Sequence, residues 1–339
     1  MQAAAEHDLG VALWRRFFFN RQQADLDEAV TALRRAVALT PAGAADYPVC
    51  VSGLAVALRT RFEHARVRRD LDEAVTLSHT AATLDPSHPR MPILQSNLGQ
   101  VLQTLFDHTA APEDLAQAEA ASRAALAATP PDDPERPEML RILSATLCRQ
   151  FELHGDRKTL DEAIIGARES ARLASAVNPA AQLTALVQLA SQLHRRYDLT
   201  HSPEDLDHAI DAERQTMADP RDPDRPGRLS NLSASLQARF ELLDHIEDLD
   251  EAVEKAREAV ATLPAVYDDR TTVLHRLATT LFARYLHSRQ PTDLNEAIVA
   301  GADAVQAGTE DAAGQADLHI RLEFHAAGPF RAFGRSGRH

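Results

Sequence analysis

One spacing recurs seven times along the chain. A leucine is followed four residues later by a second leucine, eight later by an aromatic residue, and seventeen later by a leucine within an acidic Asp-Leu-Asp-Glu-Ala type of stretch. Successive units start 43 to 46 residues apart. A period of this length is typical of solenoids, whose units bury their apolar faces only against neighbours. The leading leucines are Leu9, Leu54, Leu98, Leu143, Leu189, Leu232 and Leu277, and the acidic-stretch leucines are Leu26, Leu71, Leu115, Leu160, Leu206, Leu249 and Leu294.

Each unit is predicted to be a pair of antiparallel helices. Leu232 and Leu236 are four residues apart and Phe240 follows four later, so all three fall on one stripe of the first helix. We predict that this stripe forms the core. The residue after each leading leucine is small, which predicts close approach of two helix backbones at Gly10, Ala55, Gly99, Ser144, Ala190, Ser233 and Ala278.

The second helix of each unit opens with acidic residues, for example Asp248, Asp250 and Glu251. Carboxylates at a helix start satisfy free amides and complement the helix dipole. Sixteen of the fifty acidic residues fall in these three columns, so we assign much of the net charge of -14 to helix capping. An acidic chain also argues against nucleic-acid binding, which requires Lys and Arg to neutralise phosphates.

A second charged column flanks the aromatic residue of each first helix. One interpretation is a solvated edge with ion pairs within and between repeats, which are weak when exposed. The other is a polar ladder that binds a charged peptide. The preceding arginines are Arg16, Arg61, Arg196, Arg239 and Arg284, and the following acids are Glu63, Asp107, Glu152, Asp198 and Glu241.

The second helix carries a family resemblance. Ala29, Leu33, Ala36 and Pro41 resemble the small-large-small-proline spacing of the tetratricopeptide repeat, and Leu98-Gly99 resembles its Leu-Gly pair. The units are longer than the usual repeat of about 34 residues. This longer form is similar to actinobacterial arrays that precede a caspase-like CHAT peptidase domain or a nucleotide-binding signalling domain.

The resemblance implies an all-α, right-handed α-solenoid of seven helix pairs that binds a protein or peptide on the concave surface of its first helices. Asn97 and Asn231 match the family's groove asparagine, whereas the lysines of the chaperone-binding clamp have no counterparts. We assign no packing role to the groove side chains. The expected groove residues are Asn97, Gln100, Gln103, Arg141, Gln188, His194, Arg195, Asn231, Gln237, His275 and Arg276.

Signatures of chemistry are missing from the sequence. His64, His108 and His287 occupy equivalent turns, which stacked repeats would hold apart, and no His-Glu-x-x-His, Cys-x-x-Cys, Gly-x-Ser-x-Gly or phosphate-binding glycine motif occurs. We therefore expect no catalytic residues, no metal, no cofactor and no enzymatic activity. Cys50 and Cys148 fall in different repeats, which favours reduced thiols. With no signal-like start and no long apolar run, the chain is expected to be cytoplasmic.

The ends of the array are expected to differ from its middle. We predict a degenerate eighth first helix at 309–327 that caps the array, because Leu318, Leu322 and Ala326 continue the register, and a basic flexible tail at 328–339. At the other end Trp14, Phe18 and Phe19 either cover the open end or form a patch for self-association. The predicted array is 1–308, with repeats near 1–41, 45–86, 90–130, 135–176, 180–219, 224–264 and 268–308.

The sequence therefore predicts a non-enzymatic protein-interaction scaffold. The alternative is the regulatory array of a signalling protein, of the CHAT peptidase or nucleotide-binding ATPase type, separated from its effector domain. Fold alone does not decide between them.

Overall fold

The computed structural model describes residues 1–175, 178–219, 222–264, 267 and 269–310, and every regular element among them is an α-helix. The predicted all-α array of helix pairs is confirmed. Thr309 and Glu310 of the proposed cap at 309–327 end the last described helix, and the rest of the cap and the proposed tail lie outside the described residues. The helices are α1 (Gln2–Asn20), α2 (Gln23–Leu39), α3 (Tyr47–Ala65), α4 (Arg68–Thr83), α5 (Met91–Thr109), α6 (Pro112–Ala128), α7 (Arg136–His154), α8 (Arg157–Ala174), α9 (Pro179–Thr200), α10 (Pro203–Gln215), α11 (Arg225–Leu243), α12 (Ile246–Ala261), α13 (Arg270–Ser288) and α14 (Pro291–Glu310).

The chain divides into two compact units, one of Met1–Gln192 and one that begins at Leu193. The first contains α1 to α8 and most of α9, and the second contains the end of α9 and α10 to α14. Within each unit the two helices of a repeat pack together, and the second helix also packs against the first helix of the next repeat. Successive first helices, such as α3 and α5 or α11 and α13, are in contact as well. In the part of the chain that the structure describes, no helix has both the length and the apolar character needed to cross a membrane.

The leucine columns form the core of both units. Leu58 and Leu236, the second leucines of their first helices, are fully buried. The columns open only at the two ends, because a terminal repeat has a described neighbour on one side. Leu9 is 46% exposed and Leu294 is half-buried, whereas their equivalents in interior repeats are buried.

The column of small residues lies where the two helices of a repeat cross, as predicted. A Cβ atom on Gly10 would lie 3.1 Å from the Ala29 carbonyl oxygen, and one on Gly99 would lie 3.2 Å from that of Ala118. In the fourth repeat Ser144 uses the same proximity, because its hydroxyl donates to the Ala163 carbonyl at 2.7 Å. Larger side chains are therefore excluded both by the facing backbone and by the packed side chains of Leu33 and Ser122.

Every first helix ends on a residue in the left-handed conformation. Its amide donates to the carbonyl of the aromatic residue four positions earlier, as from Ala110 to Phe106 at 2.7 Å. Such ends usually carry glycine, because a Cβ atom is strained there. Only Gly155 meets that preference; the other six residues with positive φ are Arg21, Arg66, Ala110, His201, Asp244 and Arg289.

Candidate interaction surface

An ion pair with a buried carboxylate joins the two helices of most repeats. Arg239 donates through Nε to Asp248 Oδ2 at 2.8 Å and through Nη2 to the other carboxylate oxygen, in the two-pronged geometry that suits guanidinium and carboxylate. Hydrogen bonds from Arg16 and Asn20 hold the pKa of Asp25 below its usual range. The pairs are Arg16–Asp25, Arg61–Asp70, Arg196–Asp205, Arg239–Asp248 and Arg284–Asp293.

The third and fourth repeats show that the arginine and the aspartate depend on each other. In the fourth repeat both are missing, and Gln150 and Thr159 stand in their places. In the third, Leu105 replaces the arginine and Asp114 accepts instead from the Thr109 hydroxyl at 3.0 Å. Asp114 is half-buried, whereas the five aspartates with an arginine partner are all buried. Burial of this carboxylate therefore accompanies the guanidinium, as expected from the high cost of burying an unpaired charge.

The other two acidic columns join neighbouring repeats. The second aspartate accepts from the arginine of the next repeat, as Asp27 does from Arg61 at 3.2 Å and Asp207 from Arg239 at 2.7 Å. The glutamate accepts from an arginine on the second helix of the preceding repeat. These pairs are Arg34–Glu73, Arg123–Glu162, Arg214–Glu251 and Arg257–Glu296.

The acidic columns therefore do not cap the helices through their side chains, contrary to the prediction. Among α1 to α8 and α10 to α13, only Asp156 accepts from a backbone amide as the N-cap residue, that of Lys158. The aspartates lie in the first turn, where the dipole still favours them, but their oxygens are used by arginine. This arrangement favours the interpretation of the charged columns as ion pairs within the array.

The equivalent histidines pack against aromatic rings of the preceding repeat. His64 meets the edge of Phe17 with ring centroids 5.3 Å apart, and His287 meets Phe240 at 5.5 Å. His108 makes the same contact with Phe62. Their recurrence is therefore explained by packing between repeats.

In the first unit the expected groove residues divide into two groups. Asn97 donates to Ser52 at 2.9 Å and Gln188 donates to Ser144 at 2.9 Å, so both join first helices of neighbouring or successive repeats. Arg141 pairs with Glu138 of its own helix at 2.6 Å. By contrast, the half-buried side chains of Gln100 and Gln103 make no hydrogen bond with the described residues.

The second unit shows the same division. His194 contacts Ser235 at 2.9 Å, and Gln237 both donates to Glu241 and accepts from Thr280. The side chain of Asn231 is exposed, and those of Arg195, His275 and Arg276 are half-buried. The expectation that groove side chains have no packing role is therefore wrong for Asn97, Gln188, His194 and Gln237.

Each unit has an open cavity on its first-helix face. The first cavity, of about 370 Å³, lies between α1, α3 and α5 and includes Asn97 in its lining. The second cavity, of about 830 Å³, lies between α11, α13 and α14 and includes Gln237, His275 and Arg276. Four of the expected groove residues thus line cavities. The sequence analysis did not predict the apolar walls of the two cavities. Most apolar residues of the chain belong to the buried core, and the sequence does not distinguish them from apolar residues that line a cavity.

Two of the three N-terminal aromatic residues, Trp14 and Phe18, are in contact but differ in exposure. Trp14 is half-buried against α3, and its indole Nε1 donates to the Thr60 hydroxyl at 2.9 Å. Phe18 is 46% exposed and meets Trp14 edge-on at a ring distance of 5.0 Å. The side chain of Phe19 lies outside the described residues. Trp14 therefore belongs to the wall of the first cavity, and Phe18 is the exposed residue of the pair.

Comparison with known proteins finds similarity only at the level of structure. No protein-family model and no curated protein matches the sequence. The crystal structure of apo RapI has a TM-score of 0.53 at 11% identity, over 94% of this chain and 81% of that one. The thermophilic TPR protein TTC0263 of Thermus thermophilus has a TM-score of 0.42 at 20% identity, over 68% and 99%. A tetratricopeptide repeat protein of Parabacteroides merdae has a TM-score of 0.45 at 14% identity, over 94% and 99%. The likeness to RapI shows a shared helical fold.

Proposed function

We propose that this protein is a non-enzymatic interaction scaffold that binds a protein or peptide on the faces of its first helices. The observation that carries the proposal is the position of the open cavities. In each unit a described cavity lies mainly on first helices. The arginines and acids between neighbouring second helices, by contrast, form ion pairs with one another. Helical-repeat arrays bind partners on extended surfaces of this kind.

The proposal assigns the groove residues different roles. Gln100, Gln103 and Asn231 are available to a partner, since their side chains make no hydrogen bond with the described residues. Gln237, His275 and Arg276 border the second cavity and contact a ligand placed there. The remaining groove residues mainly position neighbouring first helices or form the polar edge of the first-helix surface. They are Asn97, Arg141, Gln188, His194 and Arg195.

The test uses a partner isolated by affinity capture on the intact chain and identified by mass spectrometry. We expect the triple variant Asn231→Ala, Gln237→Ala, Arg276→Ala to weaken that partner at least tenfold by calorimetry with an unchanged helical signal, because none of the three side chains belongs to the buried apolar core. The rival end patch is tested by Phe18→Ser alone, since Trp14 packs against α3. Wild-type affinity in the triple variant, with binding lost in Phe18→Ser, would assign function to the N-terminal end.

The absence of chemistry is tested directly. We expect purified protein to hold no stoichiometric zinc by elemental analysis, to cleave no peptide substrate and to bind no nucleic acid. One tightly held metal ion per chain would refute this part of the proposal. Location in the cytoplasm is also proposed, and the buried reduced thiol of Cys50 supports it.

A second candidate is the regulatory array of a signalling protein, as the resemblance to CHAT-associated actinobacterial arrays implies. The exposed apolar side chains of the seventh repeat favour it, because Phe282, Leu286 and Ile298 are 46 to 62% exposed and offer a further segment or domain a surface. The coding sequence adjoining this chain tests it. A peptidase or ATPase domain encoded there supports the candidate, and an unrelated neighbour removes it.

A further inference from the structure

The first cavity lies over a helical glycine of α3, Gly53. Gly53 precedes the leading leucine of its repeat, and the other six repeats carry Asp, Asn, Ile, Gln, Asn or Arg at that place. The atoms nearest to a Cβ atom on Gly53 would be His7 Nε2 at 3.2 Å, Leu33 Cδ2 at 3.5 Å and a second His7 ring atom at 3.6 Å. No backbone atom crowds Gly53, unlike Gly10 and Gly99. Helix crossing therefore does not require this glycine, and its effect is to leave space on the first-helix face.

The walls of the first cavity are apolar. Val11 and Trp14 come from α1, Val56 from α3, and Ile93 and Leu94 from α5. An indole ring and branched aliphatic side chains favour a partner side chain that is aliphatic or aromatic, because burial of apolar surface drives such contacts. The volume of about 370 Å³ suits one anchoring side chain with its neighbours and not a folded element.

The rim of the cavity carries unpaired positive charge. The guanidinium groups of Arg15 and Arg90 are exposed and make no ion pair with the described residues, although the neighbouring Arg16 is bound to Asp25. Glu135 is the acidic residue in the lining. Two arginines that pair with no acid among the described residues therefore lie beside an apolar cavity.

We propose that the first cavity binds a peptide segment in which one leucine-sized side chain is flanked by acidic residues. The apolar side chain fills the space above Gly53, and the flanking carboxylates meet Arg15 and Arg90. Opposite charges on the rim raise the association rate and exclude basic segments. This inference rests on the proposed scaffold function and specifies the chemistry of one partner at one cavity.

The probes are three fluorescein-labelled twelve-residue peptides, measured by fluorescence anisotropy with the full chain. One has a central leucine between aspartates and glutamates, the second has serine in place of that leucine, and the third has lysines in place of the acids. We expect the acidic leucine peptide to bind at least tenfold more tightly than either of the others. Its affinity should fall as salt is raised, because the arginines are exposed.

Two variants test the cavity itself. Gly53→Leu should weaken the acidic leucine peptide at least tenfold, because its side chain enters the cavity while the His7 ring shifts to make room for the new Cβ atom. Gly43→Leu is the matched control, since a Cβ atom there meets nothing within 4 Å and Gly43 does not line the cavity. The double variant Arg15→Glu, Arg90→Glu should abolish the preference for acidic flanks. It also tests the proposal independently if Gly53→Leu does not fold.

Three results would overturn the inference: equal binding of the serine peptide, tighter binding of the basic peptide, or unchanged affinity in folded Gly53→Leu. They leave the scaffold proposal standing if the captured partner is still lost in the triple variant of Asn231, Gln237 and Arg276. If no probe binds and the triple variant also keeps its partner, both the cavity and the first-helix surface are wrong.

Discussion

At the residue scale, the recurring polar contact is a guanidinium shared between two carboxylates. Arg239 binds Asp248 within its repeat and Asp207 of the repeat before it, and Arg284 does the same with Asp293 and Asp250. A buried pair of this kind is not worth much against an apolar replacement, but removal of one partner is costly. The arginine is the central member, because its loss leaves two carboxylates unpaired.

The first prediction separates the ion pair from the helix dipole. We expect Asp248→Ala to lower the free energy of unfolding by about 2 to 3 kcal/mol, because it leaves Arg239 largely buried without its main partner. Asp114→Ala removes a carboxylate at the same place in a repeat without the arginine, and should cost under about 1 kcal/mol. Urea unfolding measures both. Equal losses of unfolding free energy in the two variants would mean that the aspartate stabilises the fold through the helix dipole and not through the ion pair.

The second prediction concerns the left-handed helix ends. Ala110→Gly should raise the free energy of unfolding by about 1 kcal/mol, because Ala110 has a φ of 56° and a Cβ atom is strained there. Gly155→Ala should lower it by a similar amount. Thermal melting of the two variants checks the opposite signs, and a loss in Ala110→Gly would contradict the assignment.

At the element scale, stability comes from repeated burial of one leucine stripe against the second helix. Val253, Ala256, Leu277 and Leu281 form one such cluster between α12 and α13, with further residues of α14. The small residue at the crossing sets how closely the helices of a pair approach. Two helices of one repeat therefore cover only part of their apolar surface, and the next repeat covers the rest.

The third prediction tests this register. Leu98→Ala and Leu236→Ala should each cost about 2 to 5 kcal/mol, because both side chains are buried in interior repeats. Gly99→Leu should be destabilising by about 1 to 3 kcal/mol through overpacking against Ala118 and Ser122. Leu9→Ala is the control, since Leu9 is 46% exposed. Unchanged melting of the Leu98 and Leu236 variants would refute the register.

How far the sequence alone could predict these elements depends on what each residue type can do. The leucine stripe was predictable, because burial explains a leucine every four residues. The column of small residues was predictable as well, because close contact between helices explains why no side chain in it is larger than that of serine. The partner of Asp248 was not, because a carboxylate in a first turn suits both amides and arginine. Arg239 lies nine residues earlier, across a helix end and a turn, and only the folded chain brings the two together.

The candidate site was less predictable than the fold. The positions of Asn97 and Gln188 on first helices were right, but their use in hydrogen bonds between helices depends on neighbours that are distant in sequence. The role of Gly53 depends on the atoms around it and not on its residue type. Gly10 is also a glycine of a first helix, but there a Cβ atom would meet the backbone of the second helix. A cavity is formed by residues that are distant in sequence, so no single residue of the sequence indicates it.

At the scale of the whole molecule, the ion pairs make stability depend on pH. Hydrogen bonds from Arg16 lower the pKa of Asp25, those from Arg123 lower the pKa of Glu162, and those from Arg257 lower the pKa of Glu296. A carboxylate with a lowered folded-state pKa stabilises the fold above its unfolded value of about 4. That contribution is lost as the pH falls through the lower, folded value.

The fourth prediction follows from the sign of these shifts. The free energy of unfolding should decrease as the pH falls below about 5, where the unfolded chain binds more protons than the folded one. In Asp25→Asn the decrease should be shallower, because one of the coupled carboxylates no longer titrates. Urea unfolding at a series of pH values between neutral and acidic measures both slopes. Stability that rises toward acid in the wild type would contradict the assignment.

The arginine that pairs with an aspartate of the preceding repeat also affects how such a chain can evolve. Arg61 finds its partner in Asp27, and Arg284 finds Asp250, both 34 positions earlier. Duplication or in-frame loss of a stretch of gene encoding one such repeat would bring together neighbours whose charges already match. A change in the number of repeats would therefore keep this ion pair at the new boundary. Recombination next to Leu105 or Gln150 lacks that advantage, because the incoming aspartate meets no guanidinium.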